Sequence, residues 1–234
     1  MKTKEKFRTA FIILALISMF FQTESGLANW YAGSQRIAAA NGVTAVISAP
    51  SIPLELVQVN QSGVANWVST YNNDANGTDW IQSGWRFYYG YTTPKQYVEW
   101  CIDCDGSQGT YYIDDTFAFH SWGTTIDYWV SREGNTTQWC AFTAGIVRHC
   151  AINLHTEPVT VMAKSEVHLS PLNQLNTSFD QVRYKDPADD VWKLFNSQTI
   201  WTEDFPYQTI KFSNSSFNNI RVQTTEIYIP IILK

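Results

Sequence analysis

The stretch DWIQSGWRFY, residues 79 to 88, sets one neutral amide among heavy rings. In an extended strand side chains alternate, so Ile81, Ser83, Trp85 and Phe87 share one face while Trp80, Gln82, Gly84, Arg86 and Tyr88 share the other. The first set reads as a core face, with Trp85 and Phe87 expected to be buried. The second combines an amide, a guanidinium, two rings and the bare backbone of Gly84, as a surface holding a polar chain ligand would need. The stretch VTVMAKSEVHL divides likewise, Val159, Val161, Ala163, Ser165 and Val167 on one face and Met162, Lys164, Glu166 and His168 on the other. Glu166 supplies a carboxylate there. Lys164 and His168 share its face, and a nearby cation would lower its pKa and favour a base role nearer neutral pH. A water-facing sheet carries the same polar alternation, so the pattern alone leaves both readings open.

The elements that must carry these residues are strands. Short alternating or aromatic-rich runs recur along the chain, among them GVTAVISAP, NWVSTY, KQYVEW, TYYIDD, TTIDYWVS, QWCAFTAG, TSFDQVRYK, TIWTEDF, YQTIKFS and IRVQTTEIYI. Turn-forming clusters separate them, such as Asn72 to Gly77, Glu133-Gly134-Asn135 and Asp186 to Asp189. No amphipathic helix is visible. About twelve strands at this spacing predict an all-β fold, two antiparallel sheets packed face to face. Most of the aromatic residues, 15% of the chain, then serve to fill a gap of about 10 Å between sheets.

Residues 1 to 28 have the anatomy of a secretory signal: Lys2, Lys4, Lys6 and Arg8, an apolar run from Ala10 to Phe21, and the small-residue ending Gly26-Leu27-Ala28. That run is shorter than the roughly 20 residues a membrane-spanning helix needs. Residues 29 to 234 are expected to form a single secreted domain, a monomer, with no membrane contact after signal removal. The mature chain carries twelve basic against nineteen acidic side chains, a net charge of −7, and no basic run survives, which excludes nucleic acid as a partner.

The cysteines fall as Cys101, Cys104, Cys140 and Cys150. An even count in an exported chain reads as two disulfides, most simply the two local pairs, though four cysteines allow three connectivities. Cys140 and Cys150 bracket AFTAGIVRH, with Gly145 near its middle, which suits a hairpin with tied arms. A redox dithiol or a zinc site lacks the context each requires. Sequons start at Asn60, Asn76, Asn135, Asn176 and Asn214. No Gly-x-Ser-x-Gly, phosphate loop or His-Glu-x-x-His is present, and His120, His149, His155 and His168 have no recognisable catalytic spacing. No metal or cofactor is expected.

Taken in order, several segments resemble the eqolisins, the glutamic peptidases. Asn29-Trp30-Tyr31-Ala32-Gly33 is similar to their Asn-Trp-x-Gly opening with one residue extra, and VTAVISAPS to their first long strand. NWVSTYNNDANGTDWIQSGW resembles the segment carrying the catalytic glutamine, YVEW their Trp-Tyr-Glu-Trp strand, and AKSEVHLSPLNQLNTSFDQVRY the block with the catalytic glutamate. The resemblance covers most of residues 29 to 185. The chain departs from the pattern at Ser69 to Asp74, where the family has a glycine-rich Asp loop, and at Val167, where it favours tryptophan.

The resemblance implies a concanavalin-like sandwich with Gln82 and Glu166 as a catalytic dyad acting on a polypeptide in acid. Glu166 would take a proton from an attacking water and return it to the departing amine. The Gln82 amide would orient the water and hydrogen-bond the developing oxyanion. Glu99 and Trp100 would support the substrate cleft by the same resemblance; Trp80, Arg86 and His168 join them as substrate-binding candidates on strand parity. Two other readings stand beside it: a non-catalytic carbohydrate-binding module whose Trp80, Tyr88 and Trp100 stack on sugar rings, and a glycosidase using Glu99 and Glu166 as its paired carboxylates.

Overall fold

The computed structural model describes residues 29–74, 77–104, 109–134, 136–152, 154 and 159–222. The expected leader, the sequons at Asn76 and Asn135, His155 and the end of the chain lie outside them. Among the described residues there are strands and no helix: β1 (Asn29–Ala40), β2 (Gly42–Ser48), β3 (Gly63–Asp74), β4 (Gly77–Tyr88), β5 (Lys95–Ile102), β6 (Thr110–Asp114), β7 (Thr125–Arg132), β8 (Trp139–Thr143), β9 (Ile146–Ala151), β10 (Val159–His168), β11 (Asn176–Lys185), β12 (Trp192–Leu194), β13 (Thr199–Glu203), β14 (Tyr207–Ser213) and β15 (Ser216–Arg221). They form two antiparallel sheets, a front sheet ordered β13-β1-β10-β3-β4-β5-β6 and a back sheet ordered β14-β15-β11-β2-β7-β8-β9, with β12 added on β11. The architecture is a jelly-roll β-sandwich of the concanavalin-like kind. No helix of the described residues is long and apolar enough to cross a membrane.

The alternation dictates which faces meet. From β4, Ile81, Trp85 and Phe87 enter the space between the sheets, and from β10 Val159, Val161, Ala163 and Val167 do so. There they pack with Val43, Ile47, Tyr128, Val130, Phe179 and Phe217 of the back sheet. Each fully buried side chain of this size contributes about 1.5–3 kcal/mol by leaving water. A polar pin crosses the same space: Asn219 of β15 donates to Ser165 Oγ at 2.9 Å and to the Ala32 carbonyl at 2.8 Å. Ser165 in turn donates to Asn66 Oδ1, so β1, β10 and β3 are held to one another and to the back sheet. All of these groups are buried and their bonds fix rotation as well as depth.

Two local features differ from or refine what the residues suggest. The polar cluster from Asn72 reads as a turn, yet β3 runs to Asp74 and β4 begins at Gly77, because the ladder continues through Asn72–Asp79 and Asn73–Thr78 pairs. Cross-strand pairing outweighs local turn preference there. In the β8–β9 hairpin the connecting residues Ala144 and Gly145 have φ of 51° and 80°, the positive values that a two-residue hairpin turn of matching twist demands. The Cys140–Cys150 disulfide ties that hairpin, and Cys101–Cys104 closes the end of β5, the two local pairs expected.

Candidate active site

On its outer face the front sheet carries a groove of about 560 Å³. Its floor is laid out by the ladder as cross-strand rows: Asn29, His168, Gly63, Tyr88; then Tyr31, Glu166, Ala65, Arg86; then Gly33, Lys164, Trp67, Gly84, Tyr97; then Gln35, Met162, Ser69, Gln82, Glu99. Trp80 and Tyr71 follow in the next row. The small residues have a purpose in this floor. At Gly84 an added Cβ would collide with the backbone of Asn66 and Trp67, so the bare backbone noted in the sequence is required by a close strand approach.

Gln82 is buried and its amide is held at two points. Nε2 donates to Glu99 Oε2 at 2.7 Å and to the Tyr97 hydroxyl at 3.1 Å. Both amide hydrogens are therefore engaged, and the carbonyl Oε1 is the group left to accept from a guest. Glu99 also accepts from the Tyr111 hydroxyl. Burial raises the Glu99 carboxyl above its ordinary value, and the charge of Glu166 raises it further, while the bonds from Tyr111 and Gln82 and the charge of Arg86 pull it down.

Glu166 is held from β1. Its Oε1 accepts from Asn29 Nδ2 at 2.8 Å and from the Tyr31 hydroxyl at 2.9 Å. Burial pushes its carboxyl above the ordinary value; the Tyr31 and Asn29 donors and a looser approach of the Trp67 indole N–H offset this only in part. The sequence-based expectation that Lys164 and His168 would lower it is not met. His168 Nε2 stands 4.0 Å from Glu166 Oε2 and bonds the Tyr88 hydroxyl at 3.1 Å. Burial, with a smaller push from Arg86, lowers the His168 pKa to about 4, so it is neutral above that and offers no positive charge.

The rows also show what is and is not brought together. Gln82 and Glu166 face the same groove, but Gln82 is paired across the ladder with Glu99, and Glu166 lies two rows away on β10. The two are joined by a diagonal across β3, and Trp67 occupies its midpoint. Each diagonal step is about 7–8 Å at the level of the backbone, so the two long side chains have to lean towards each other over the tryptophan to act on one molecule. Trp80 lines the groove, edge-on to Tyr111 with centroids 6.2 Å apart. Arg86 lines it too, with Nη2 and Nε both bonded to Asp115 Oδ2 at 2.7 and 3.2 Å. Trp100 does not reach it: paired with Ile81, it shares the inter-sheet side and stacks on Tyr112 at 5.7 Å and on His149 at 5.8 Å. Adjacent residues of one strand face opposite ways, so Glu99 in the groove sends Trp100 out of it.

Residue-level reading did not give roles to Asn29, Tyr31, Tyr97, Tyr111 or Trp67. Tyr97 was within reach by extending the alternation from Glu99; Asn29, Tyr31 and Tyr111 depend on strand pairings across 135 residues or a hairpin register. Among the described residues, no group of three His, Cys, Asp or Glu side chains is arranged to hold a metal ion.

No family model and no curated protein matches the chain. Solved structures do match it in fold. The crystal structure of scytalido-glutamic peptidase with a transition state analog inhibitor superposes with a TM-score of 0.55 at 13% identity, covering 84% of this chain and all of that one. A Bacillus licheniformis beta-glucanase matches at TM-score 0.39 and 14% identity over 62% of this chain and 68% of its own. A prokaryotic beta-1,3-1,4-glucanase (lichenase) from a mouse hindgut metagenome matches at 0.40 and 14%, over 64% and 71%. The chain thus has the fold of a glutamic peptidase, a β-sandwich built to the same plan.

Proposed function

We propose that the protein is a secreted glutamic-type endopeptidase that uses Glu166 and Gln82 on a polypeptide lying in the front-sheet groove. The observation that carries this reading is that a half-buried carboxyl with an elevated pKa and an amide fixed by a second half-buried acid open onto the same groove. Ionised Glu166 takes a proton from water as the oxygen attacks the peptide carbonyl, and then passes it to the leaving nitrogen. While Glu99 is ionised and accepts from Nε2, Gln82 Oε1 is free to orient the incoming water. Protonation of Glu99 reverses the pair: the acid donates to Gln82 Oε1, and the amide, turned about, presents Nε2 hydrogens to the developing oxyanion. Acid supplies the proton that Glu99 needs, while the raised pKa of Glu166 sets the lower pH limit at which the base is still ionised. A scissile peptide laid over Trp67 fills the diagonal between the two side chains, so substrate and water together complete the constellation. The two disulfides support an oxidising, extracellular setting.

The test is digestion of an unfolded protein by the purified mature chain at pH 3 to 7, with Glu166→Gln and Gln82→Ala beside it and products read by mass spectrometry. Cleavage by the wild type and its loss in both variants is the expected result. No cleavage at any pH, or equal cleavage by the variants, refutes the proposal.

A second reading rests on the same two half-buried acids: Glu99 and Glu166 open onto one groove beside Trp80 and Tyr88, where a sugar ring could stack. Release of reducing ends from a polysaccharide panel, lost in Glu99→Gln, would favour it over peptide hydrolysis; binding without turnover would favour the non-catalytic glycan-binding form.

A further inference from the structure

The groove contains a cation that the dyad does not use. Lys164 projects from β10 in the row between those of Glu166 and Gln82, and only 9% of it is exposed. Its stem passes over Gly33, whose backbone has φ of 142° and no room for a side chain: a Cβ there would press on Lys164 Cα and Cγ. The Ala163 carbonyl would be closer still, so close approach of β1 to β10 requires the glycine, and the space above it is left to the lysine stem. Its ammonium finds little in return. It makes a long hydrogen bond to Gln35 Oε1, 3.4 Å, and no carboxylate among the described residues lies within ion-pair distance. Glu166, its neighbour on the same face, turns away to Asn29 and Tyr31. Asp204 acts on it from a distance and is bonded to the Tyr31 backbone N–H. Arg86, the other cation of the groove, is by contrast paired with Asp115 at 2.7 Å.

A buried ammonium without an anion is unfavourable, and proteins that keep one pair it or use it. Here its open side is the groove itself. We propose that Lys164 is the anchor for a carboxylate of the substrate bound one or two residues from the bond that is cut, either an Asp or Glu side chain, as suits cleavage within a chain, or a free C-terminus, which would make the cut terminal. The distance follows from the sheet. Lys164 is one same-face position from Glu166 on β10, about 6–7 Å along the strand, the span of two residues of an extended peptide. This assignment deepens the peptidase reading and rests on it for the cleavage, though not for the binding.

Two measurements separate the proposal from that reading. The first compares kcat/KM on paired peptides that differ by Glu against Gln at each position within two residues of the cleaved bond, and by a free acid against an amide at the C-terminus. A charge-assisted contact of this type gives the acidic member an advantage of about tenfold or more. The position of the effect tells side chain from terminus. Lys164→Met, which keeps the stem over Gly33, brings the ratio close to one, and Lys164→Arg retains a preference. The second measures binding of the same peptides to the Glu166→Gln protein by calorimetry, with no turnover required. Equal affinity for acid and amide members at every position, or a ratio unchanged by Lys164→Met in folded protein, overturns the anchor. Absence of cleavage together with selective, Lys164-dependent binding of the acids overturns the peptidase reading and sustains the anchor.

Discussion

Replacing Glu166 by glutamine should stabilise the protein at neutral pH while removing its chemistry. The oxygen that accepts from Asn29 and Tyr31 at 2.8 and 2.9 Å has a counterpart in the glutamine carbonyl, so both bonds survive. The new amide takes the place of Oε2, where the near neighbour is a neutral His168 at 4.0 Å. What is lost is the negative charge. The folded carboxyl stands above its ordinary value of 4.5 because burial opposes ionisation, so the unfolded chain releases its proton first as the pH rises. Wild-type stability owed to this group is therefore intact below about 4.5, falls as the pH climbs through the folded pKa, and stays lower beyond it. The glutamine variant has no such loss.

The stability difference between variant and wild type is thus near zero in acid and reaches a plateau in favour of the variant at neutral pH. Each unit of elevation is worth about 1.4 kcal/mol, and for a chain of this length each kcal/mol moves Tm by about 2–4 °C. Thermal unfolding of both proteins from pH 3 to 8 provides the assay. Because the Glu166 charge is one of the causes holding Glu99 high, a carboxyl-resolved NMR titration of the variant should also show Glu99 shifting downward. A stability difference that is the same at every pH, or a wild type that gains on the variant as the pH rises, would refute the argument that burial dominates this carboxyl.

Glu99→Leu removes both the acceptor that holds the Gln82 amide at 2.7 Å and the donor that the protonated acid would offer it; kcat for peptide cleavage should fall by about tenfold or more with a smaller change in KM, and an undiminished kcat would show that Glu99 does not position Gln82. Exchange of Cys140 and Cys150 for serine opens the β8–β9 hairpin and should cost about 2–3 kcal/mol, read as a lower denaturant midpoint with an unaltered slope. His120 lies wholly inside, bonded to the Tyr128 hydroxyl at 2.9 Å and the Thr124 carbonyl at 3.0 Å, and burial lowers its pKa to about 4. Unfolded histidine binds its proton near 6.5, so stability should fall by up to about 3 kcal/mol as the pH drops from 6.5 towards 4 and then level off. His120→Gln should flatten that slope in urea titrations; an unchanged slope would place the proton uptake elsewhere.

Strand parity was legible because it is local. Trp85 and Phe87 lie inside and Gln82, Trp80 and Arg86 outside for the reason that a strand alternates, whatever it packs against. The same rule assigned Glu166 to the outer face of β10. β1 escaped the pattern: NWYAGSQRIAAA is rich in small residues and alternates poorly, although it brings Asn29 and Tyr31 to Glu166. Its identity as a strand comes from a central seat between β13 and β10, which no window of its own sequence contains. Trp100 shows the opposite case, a residue assigned to the cleft by the family resemblance, when alternation from Glu99 sends it to the other side.

What parity cannot supply is the row. Two side chains on one face of a sheet may be neighbours or may be separated by the full length of a strand, and only the registers of β10 on β3 and of β3 on β4 decide which. Here those registers place Glu99, not Glu166, beside Gln82, and place Trp67 with Lys164 in the row between the proposed base and the amide. The consequence is chemical. An amide whose donors are already spent on an acid and a phenol has none for an oxyanion until that acid is protonated, and a base two rows distant has to reach over the tryptophan to meet the amide at one substrate. On the proposed reading acid and substrate therefore act on the same element, the one freeing the Gln82 donor and the other bridging the base and the amide.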